Sequence, residues 1–341
     1  MRIPTHIALT LAGLLSVACS EREQPSPSST PPASISAQCE SGWCLITPGK
    51  YTKGSPTTEV GRAAFAEGQA EIQITRPFIL QQFEASVEFW DDSLSPSWAS
   101  ERGHYFPEEE PSNPKRPLAA LTWYEAARVA NRLSEQQGLP VCYELSDCKE
   151  VEVISADIPI HILTCGTAAL AQGESAYECD GYRLPTQAEW EYAARAGTQT
   201  ASYGGDQDLT GIKDYQLSSC VEQAPLAPIA WYCWNSKDTL HLGGKKRPNA
   251  FGLYDMLGNI DEWGHGNFRP WGDPNKLTKD PLGELDPTDT SRVTLGGTFR
   301  SVASVVRSAW NYGESLVATF GAGVRLARTV KNVDTWKETL P

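Results

Sequence analysis

The chain has 341 residues, 40% of them hydrophobic and 21% charged, and a formal net charge of −13 at pH 7. That excess of acid argues against nucleic acid as a partner, since phosphate binding needs a basic surface. It argues equally against electrostatic docking on anionic lipid. Eleven Trp, 28 Gly and 24 Pro describe a loop-rich fold built around aromatic clusters.

The first element is "MRIPTHIALTLAGLLSVACS". Arg2 precedes an apolar run from Ile7 to Leu15 that is too short to cross a bilayer, so residues 1–18 read as a signal peptide. Cys19 comes directly after the small residues Ser16, Val17 and Ala18. It is the expected lipidation site of an exported bacterial envelope lipoprotein, although Leu15 stands one place early for that pattern. A plain secretory cut after Ala18 is the alternative. Ser20 after the acylated cysteine points to the outer membrane. Residues 19–38, rich in Ser and Pro, have almost nothing to bury and read as a disordered tether. The rest of the chain is long enough for one large domain or two intimate ones, expected over residues 39–330 with a short tail at 331–341.

Nine cysteines leave one unpaired in an oxidising compartment. Acylation of Cys19 removes the odd one. The remaining eight fall as neighbours along the chain, Cys39/Cys44, Cys142/Cys148, Cys165/Cys179 and Cys220/Cys233. Sequential pairing is the simplest of the roughly hundred possible arrangements. Zinc is the rival, but there is no C-x-x-C and the five histidines are scattered.

Two helices are marked by capping boxes. In "LTWYEAARVANRLSEQQGLP" Thr122 and Glu125 form the box, Trp123, Ala126, Ala127, Ala130 and Leu133 line one face, and Gly138 with Pro140 ends the element. In "LPTQAEWEYAARAG" Thr186 and Glu189 repeat the device, Trp190, Ala193 and Ala194 face inward, and Gly197 stops the helix. A shorter helix is expected from Ser86. Strand-like runs are brief: "AEIQITRPFIL", "RVTLGGTF" and "AGVRLART". The interval from Ala201 to Ala250 has no period. Such a pattern indicates an irregular α+β domain and not a doubly wound sheet.

The blocks "GYRLPTQAEWEYAARAG", "NAFGLYDMLGNIDEW", "LGGTFR" and "GAGVRLART" resemble, in content and order, those of the formylglycine-generating enzymes, also called sulfatase-modifying factors. With "CLITPGKYTKGS" and the first helix, the resemblance covers about Gly42 to Arg328. It implies a loop-rich fold of the complex C-type-lectin kind with bound calcium. Enzymes of that family oxidise a cysteine of a sulfatase with copper held by two thiolates, soft ligands suited to Cu(I). The matching positions in "GGTFRSVASVVRSAWN" are Ser301 and Val306, and no cysteine occurs after Cys233. Neither copper nor iron is therefore expected. The histidine pairs of the family's non-haem iron relatives are absent: His6 lies in the signal, and His104, His161, His241 and His265 stand alone.

The resemblance also assigns the stretch "GLYDMLGNIDEW". Asp255 and Glu262 match side-chain calcium ligands, and Gly258 and Ile260 match carbonyl ligands, which suits an ion that takes six to eight hard oxygens. The rival reading is a solvated turn. The family's upstream calcium site uses an asparagine where this chain has Trp231. Asp261 stands where relatives carry an aromatic, and the simpler reading points it to solvent. Arg307 and Arg325 read as buried structural arginines, and Trp190 and Trp263 as core. Two functions are expected from these residues. One is a membrane-tethered, calcium-stiffened scaffold that binds a protein, peptide or glycan. The other is a divergent periplasmic oxidoreductase or maturation enzyme acting on a peptide or small molecule. The second expects a groove lined by Ser301, Arg307 and Asp261; a pyoverdine-maturation relative without the copper cysteines keeps it open.

Overall fold

A computed structural model describes residues 36–89, 110–155, 158–208, 220–269, 276–317 and 322–341. The signal, Cys19, almost all of the tether and His104 lie outside the described residues. Five short strands open the domain: β1 (Cys39–Glu40), β2 (Trp43–Ile46), β3 (Gly49–Lys53), β4 (Ala70–Ile74) and β5 (Phe78–Gln81). Helix α1 (Trp123–Gln136) comes next, then β6 (Tyr143–Ser146), β7 (Lys149–Ser155), β8 (Ile158–Thr164) and β9 (Thr167–Leu170). Helix α2 (Gln187–Arg195) precedes β10 (Asp261–Trp263), β11 (Thr278–Lys279), β12 (Ser291–Leu295), β13 (Asn311–Ser315), β14 (Ala322–Gly323) and β15 (Ala327–Thr329). This is the mixed, loop-rich α+β architecture expected. Between 201 and 250 no helix or named strand forms among the described residues.

The strands assemble as β1-β2-β5-β15, β13-β12-β10-β14 and β11-β4-β3, with the pairs β6-β9 and β7-β8 beside them. "AEIQITRPFIL" therefore divides between two sheets, because Thr75 to Pro77 turn the chain from β4 to β5. The last strand motif divides likewise. Its first residues join β10 in parallel and its last join β5 antiparallel.

Both helix starts follow the capping logic. Thr122 and Thr186 hydroxyls accept from the N–H groups of Glu125 and Glu189, and each glutamate carboxylate accepts from its own threonine's N–H. Gly138 takes φ 65° after α1. At the end of α2 the left-handed turn begins one residue earlier than Gly197, at Ala196 (φ 45°). The short third helix enters the described residues at Val87, with the Ser86 hydroxyl accepting from Phe89 N–H at 3.3 Å.

Two apolar cores flank the central sheets. Trp123 and Trp263 anchor one, and Trp190 anchors the other. Each indole N–H has an acceptor: Gly264 O, Leu121 O and a Glu262 carboxylate oxygen, at 2.9, 2.9 and 2.6 Å. Burying a tryptophan needs such a partner for its one donor. Four arginines are also fully buried against carboxylates: Arg183 with Glu189, Arg195 with Glu191, Arg307 with Glu67 and Arg325 with Glu262. They tie α2 and the closing strands to the preceding loops.

The disulfides correct the simplest pairing. Cys39–Cys44 and Cys220–Cys233 are sequential, but the middle four cysteines are nested as Cys142–Cys179 and Cys148–Cys165. The cause is a hairpin within a hairpin. Ser146 pairs with Thr167 in β6-β9, and Lys149 pairs with Thr164 in β7-β8, so Cys148 and Cys165 face each other across the ladder. Replacing both Cys148 and Cys165 by alanine should cost roughly 2–3 kcal/mol in urea unfolding, the loop-closure contribution of a short loop. An unchanged midpoint would show that strand pairing alone fixes this hairpin.

Candidate functional site

The loop 252–263 runs into β10, which lies between β12 and β14. Gly258 has φ 77°, and a Cβ there would fall 2.1 Å from Trp231 O, so only glycine allows the two backbones to meet. Asp255 and Asn259 also take left-handed conformations, φ 52° and 60°. The loop is locked from outside. Asn259 N–H donates to Trp231 O, while Glu84 accepts from the Asn259 amide and from Ile260 N–H. A solvated turn is thus excluded, since Asp255, Gly258, Ile260 and Glu262 are all buried.

The two acids differ in their bonding. Glu262 accepts from Trp190 Nε1 at 2.6 Å and from Arg325 Nε at 2.9 and 3.1 Å. Among the described residues Asp255 accepts only from Gly244 N–H, at 2.7 Å, and its other oxygen is buried with no donor. Burial pushes the Asp255 carboxyl up to about 6. A buried carboxylate oxygen without a donor is costly, and a hard cation is the partner that would relieve it. Asp255, the carbonyls of Gly258 and Ile260, and the remaining lone pairs of Glu262 are the hard oxygens that would hold calcium in this loop.

A second convergence surrounds Gly297, directly after the end of the sheet (φ 76°). A Cβ placed there would lie 3.3 Å from a Val306 methyl and 3.5 Å from Ser301 Oγ. The Asp261 carboxyl accepts from Gly297 N–H. Ser301, Val306 and Asp261 therefore all lie around Gly297, with Asp261 brought in from the strand β10 far earlier in the sequence. Asp261 is half-buried with its carboxyl bonded to Gly297 N–H; desolvation pushes that carboxyl up to about 7, helped by the neighbouring charges of Glu314 and Glu262. Ser301 Oγ accepts from Thr298 N–H at 2.9 Å, and Ser301 O accepts from Cys233 N–H at 3.1 Å. Cys233, bonded to Ser301 in this way, is held in a disulfide with Cys220.

Arg307 does not belong to this group. Its guanidinium is buried against Glu67, Glu59, Gly61 O and Ser304 O, so the expected groove of Ser301, Arg307 and Asp261 loses its arginine. Arg325 is structural as expected, bonded to Glu262, Gln81 O and Tyr254 O. The histidines remain separate. His161 is exposed, 3.9 Å from Glu152, His241 stacks on Trp231, and His265 bonds Tyr143. Among the described residues no group of three or more His, Cys, Asp or Glu is placed to hold a metal.

Sequence reasoning missed two contributors. Glu84 braces the 252–263 loop from a distant strand end. Trp231, at the position of the family's upstream asparagine, is sandwiched between the His241 ring and the Lys246 ammonium, each 3.7 Å away. A lysine over an indole is a cation–π contact and places a fixed positive charge there. The pattern "GGKKRPN" contained that lysine, but only the fold aims it at Trp231.

"Chaperone protein LppX" from Paenibacillus barcinonensis is 27% identical over 189 residues, 54% of this chain and 61% of that protein. "Formylglycine-generating enzyme" from Thermomonospora curvata is 32% identical over 123 residues, 35% of this chain and 39% of that protein. The chain thus spans less than two thirds of the length of either curated relative. The solved "Treponema denticola variable protein 1" superposes with a TM-score of 0.59 at 22% identity, covering 84% of this chain and 100% of that one. This is a likeness of fold. A match to the sulfatase-modifying factor enzyme 1-like domain extends over residues 31–330, and the chain belongs to that family.

Proposed function

We propose that this chain is an exported envelope lipoprotein, acylated on Cys19. Its domain is a calcium-stabilised binding scaffold without formylglycine-generating activity, open to a protein, peptide or glycan ligand. The observation that carries this reading is the chemistry around Gly297. Ser301 and Val306, which the motif match sets at the family's thiolate positions, lie together beside Gly297, and neither a hydroxyl nor an isopropyl group can hold Cu(I). The eight cysteines among the described residues are all in disulfides, so none is available as a thiolate. Support for calcium is the donorless oxygen of Asp255. The envelope location is in keeping with a relative named as a chaperone of the LppX kind, and among the described residues no helix is long and apolar enough to cross a membrane.

The test uses the purified full chain with a cysteine-bearing peptide, copper and oxygen, beside elemental analysis. No aldehyde and near one calcium per chain, lost in Asp255→Asn, are expected. An aldehyde on the peptide, or stoichiometric copper or iron, overturns the reading. One observation favours the divergent enzyme: the Asp261 carboxyl is bonded to Gly297 N–H beside Ser301, where desolvation pushes it up toward the neutral range that proton transfer uses. That reading predicts turnover of a periplasmic peptide or small molecule that Asp261→Asn abolishes while leaving the fold intact.

A further inference from the structure

A cavity of about 740 Å³ opens between the β1–β2 turn, the chain just after β5 and the C-terminal end of α1. It shares no residue with the group around Gly297. Its size falls within the range of small-molecule sites. Phe83 and Phe89, both half-buried, line it, with Trp43 beneath. The Phe83 ring is backed by Tyr254, 5.1 Å away and nearly parallel, which fixes its orientation. Gln81 also lines the cavity and is only 7% exposed. Its amide oxygen accepts from Leu326 N–H at 2.8 Å, leaving the amide N–H₂ as a fixed donor. Gln137 and Ser41 are exposed at the rim.

The charges in the lining do not select an ion. Glu88 and Lys115 are of opposite sign, and Glu84 is occupied with Asn259 and Ile260 N–H. Aromatic faces beside planar amides and hydroxyls, with Lys115 set against Glu88 and Glu84 turned to the 252–263 loop, match a molecule with apolar C–H faces and a rim of hydroxyls. We propose that this cavity binds a neutral saccharide of two or three units, its ring against Phe83 or Phe89 and its hydroxyls bonded by Gln81 and Gln137. The proposal names the ligand class of the binding scaffold and rests on that reading, but it concerns a different place in the fold. An extended peptide is the competing occupant. It would look for a row of backbone donors and acceptors, whereas the polar groups identified here are side chains.

Calorimetric titration of the full chain tests this, with maltotriose, cellotriose and triacetylchitotriose set against tri-alanine and glucuronate. At least one neutral trisaccharide should bind, and Gln137→Ala and Phe89→Ala should each weaken it by roughly tenfold, the scale of one lost contact. Gln137→Ala should keep the parent melting temperature, Phe89→Ala, whose ring also packs on the core, should melt lower but still cooperatively, and Asp261→Asn should bind the sugar as the parent does. Absence of heat from every saccharide, sugar binding indifferent to both cavity variants, or tri-alanine binding that depends on them overturns the proposal. The aldehyde assay on the same preparation is read separately: peptide oxidation with sugar binding intact would sink the scaffold reading and leave the cavity standing.

Discussion

Arg307→Met should destabilise the folded chain by about 3–5 kcal/mol, the cost of leaving a buried charge without its partner. All five guanidinium N–H donors are engaged. Nε donates to Ser304 O at 2.7 Å, Nη1 to Glu59 and Glu67 at 2.5 and 2.8 Å, and Nη2 to Gly61 O and Glu67 at 2.8 and 2.6 Å. With no donor left over, Arg307 has nothing to offer a substrate. Burial alone would raise the Glu67 carboxyl. The bonds from Arg307, Ser55 and Ala63 overcome that and hold it below the usual range. Methionine keeps much of the volume but strands Glu67 as an unpaired, fully buried acid. Arg307→Lys should also fail, since one ammonium cannot replace the fork. Adding Glu67→Gln to Arg307→Met should recover part of the loss by removing the stranded charge. Urea unfolding of the three variants measures this. If Arg307→Met proved as stable as the parent, the arginine would have to be reassigned to the ligand-binding surface.

The parts of this fold that sequence made legible are those set by local chemistry. Both capping boxes and the aromatic cores around Trp190 and Trp263 follow from spacing, and the buried role of Arg325 from the family resemblance together with the cost of burying charge. The nested Cys142–Cys179 and Cys148–Cys165 bridges were not legible. They depend on register between β7 and β8, and the alternation of Lys149 to Ser155 gives no direction for its partner. The site was half legible. "GLYDMLGNIDEW" announced itself because glycines and acids sit close together in sequence, whereas Ser301, Val306 and Asp261 meet only through the turn at Gly297. Glu84 and Lys246 carry no local signal at all. Each acts on a loop more than ten residues away in sequence, and such pairings are set by tertiary packing.

Acid should test the fold at His265, the other large effect. The imidazole is fully buried; its Nδ1 lies 2.8 Å from the Tyr143 hydroxyl and its Nε2 has no partner among the described residues. Desolvation, aided by the charges of Arg183 and Arg292, pushes it down to about 3. In the unfolded chain it takes up a proton near its ordinary value of about 6.5. Between those limits the unfolded state binds the extra proton, so this residue's contribution is intact above about pH 6.5 and erodes as pH falls toward 3. The slope approaches about 1.4 kcal/mol per pH unit, a total of a few kcal/mol. Asp261, pushed up to about 7, works in the opposite sense because the folded state holds its proton longer. The parent profile therefore mixes the two, and the informative quantity is the difference between the parent and His265→Phe. Phenylalanine keeps the ring and loses the Tyr143 bond, an offset that does not vary with pH across this range. Subtracting the two unfolding free energies from pH 7 to pH 4 should give a line that tilts steadily in the variant's favour on acidification. A flat difference would mean that His265 is charged or solvated in the native state.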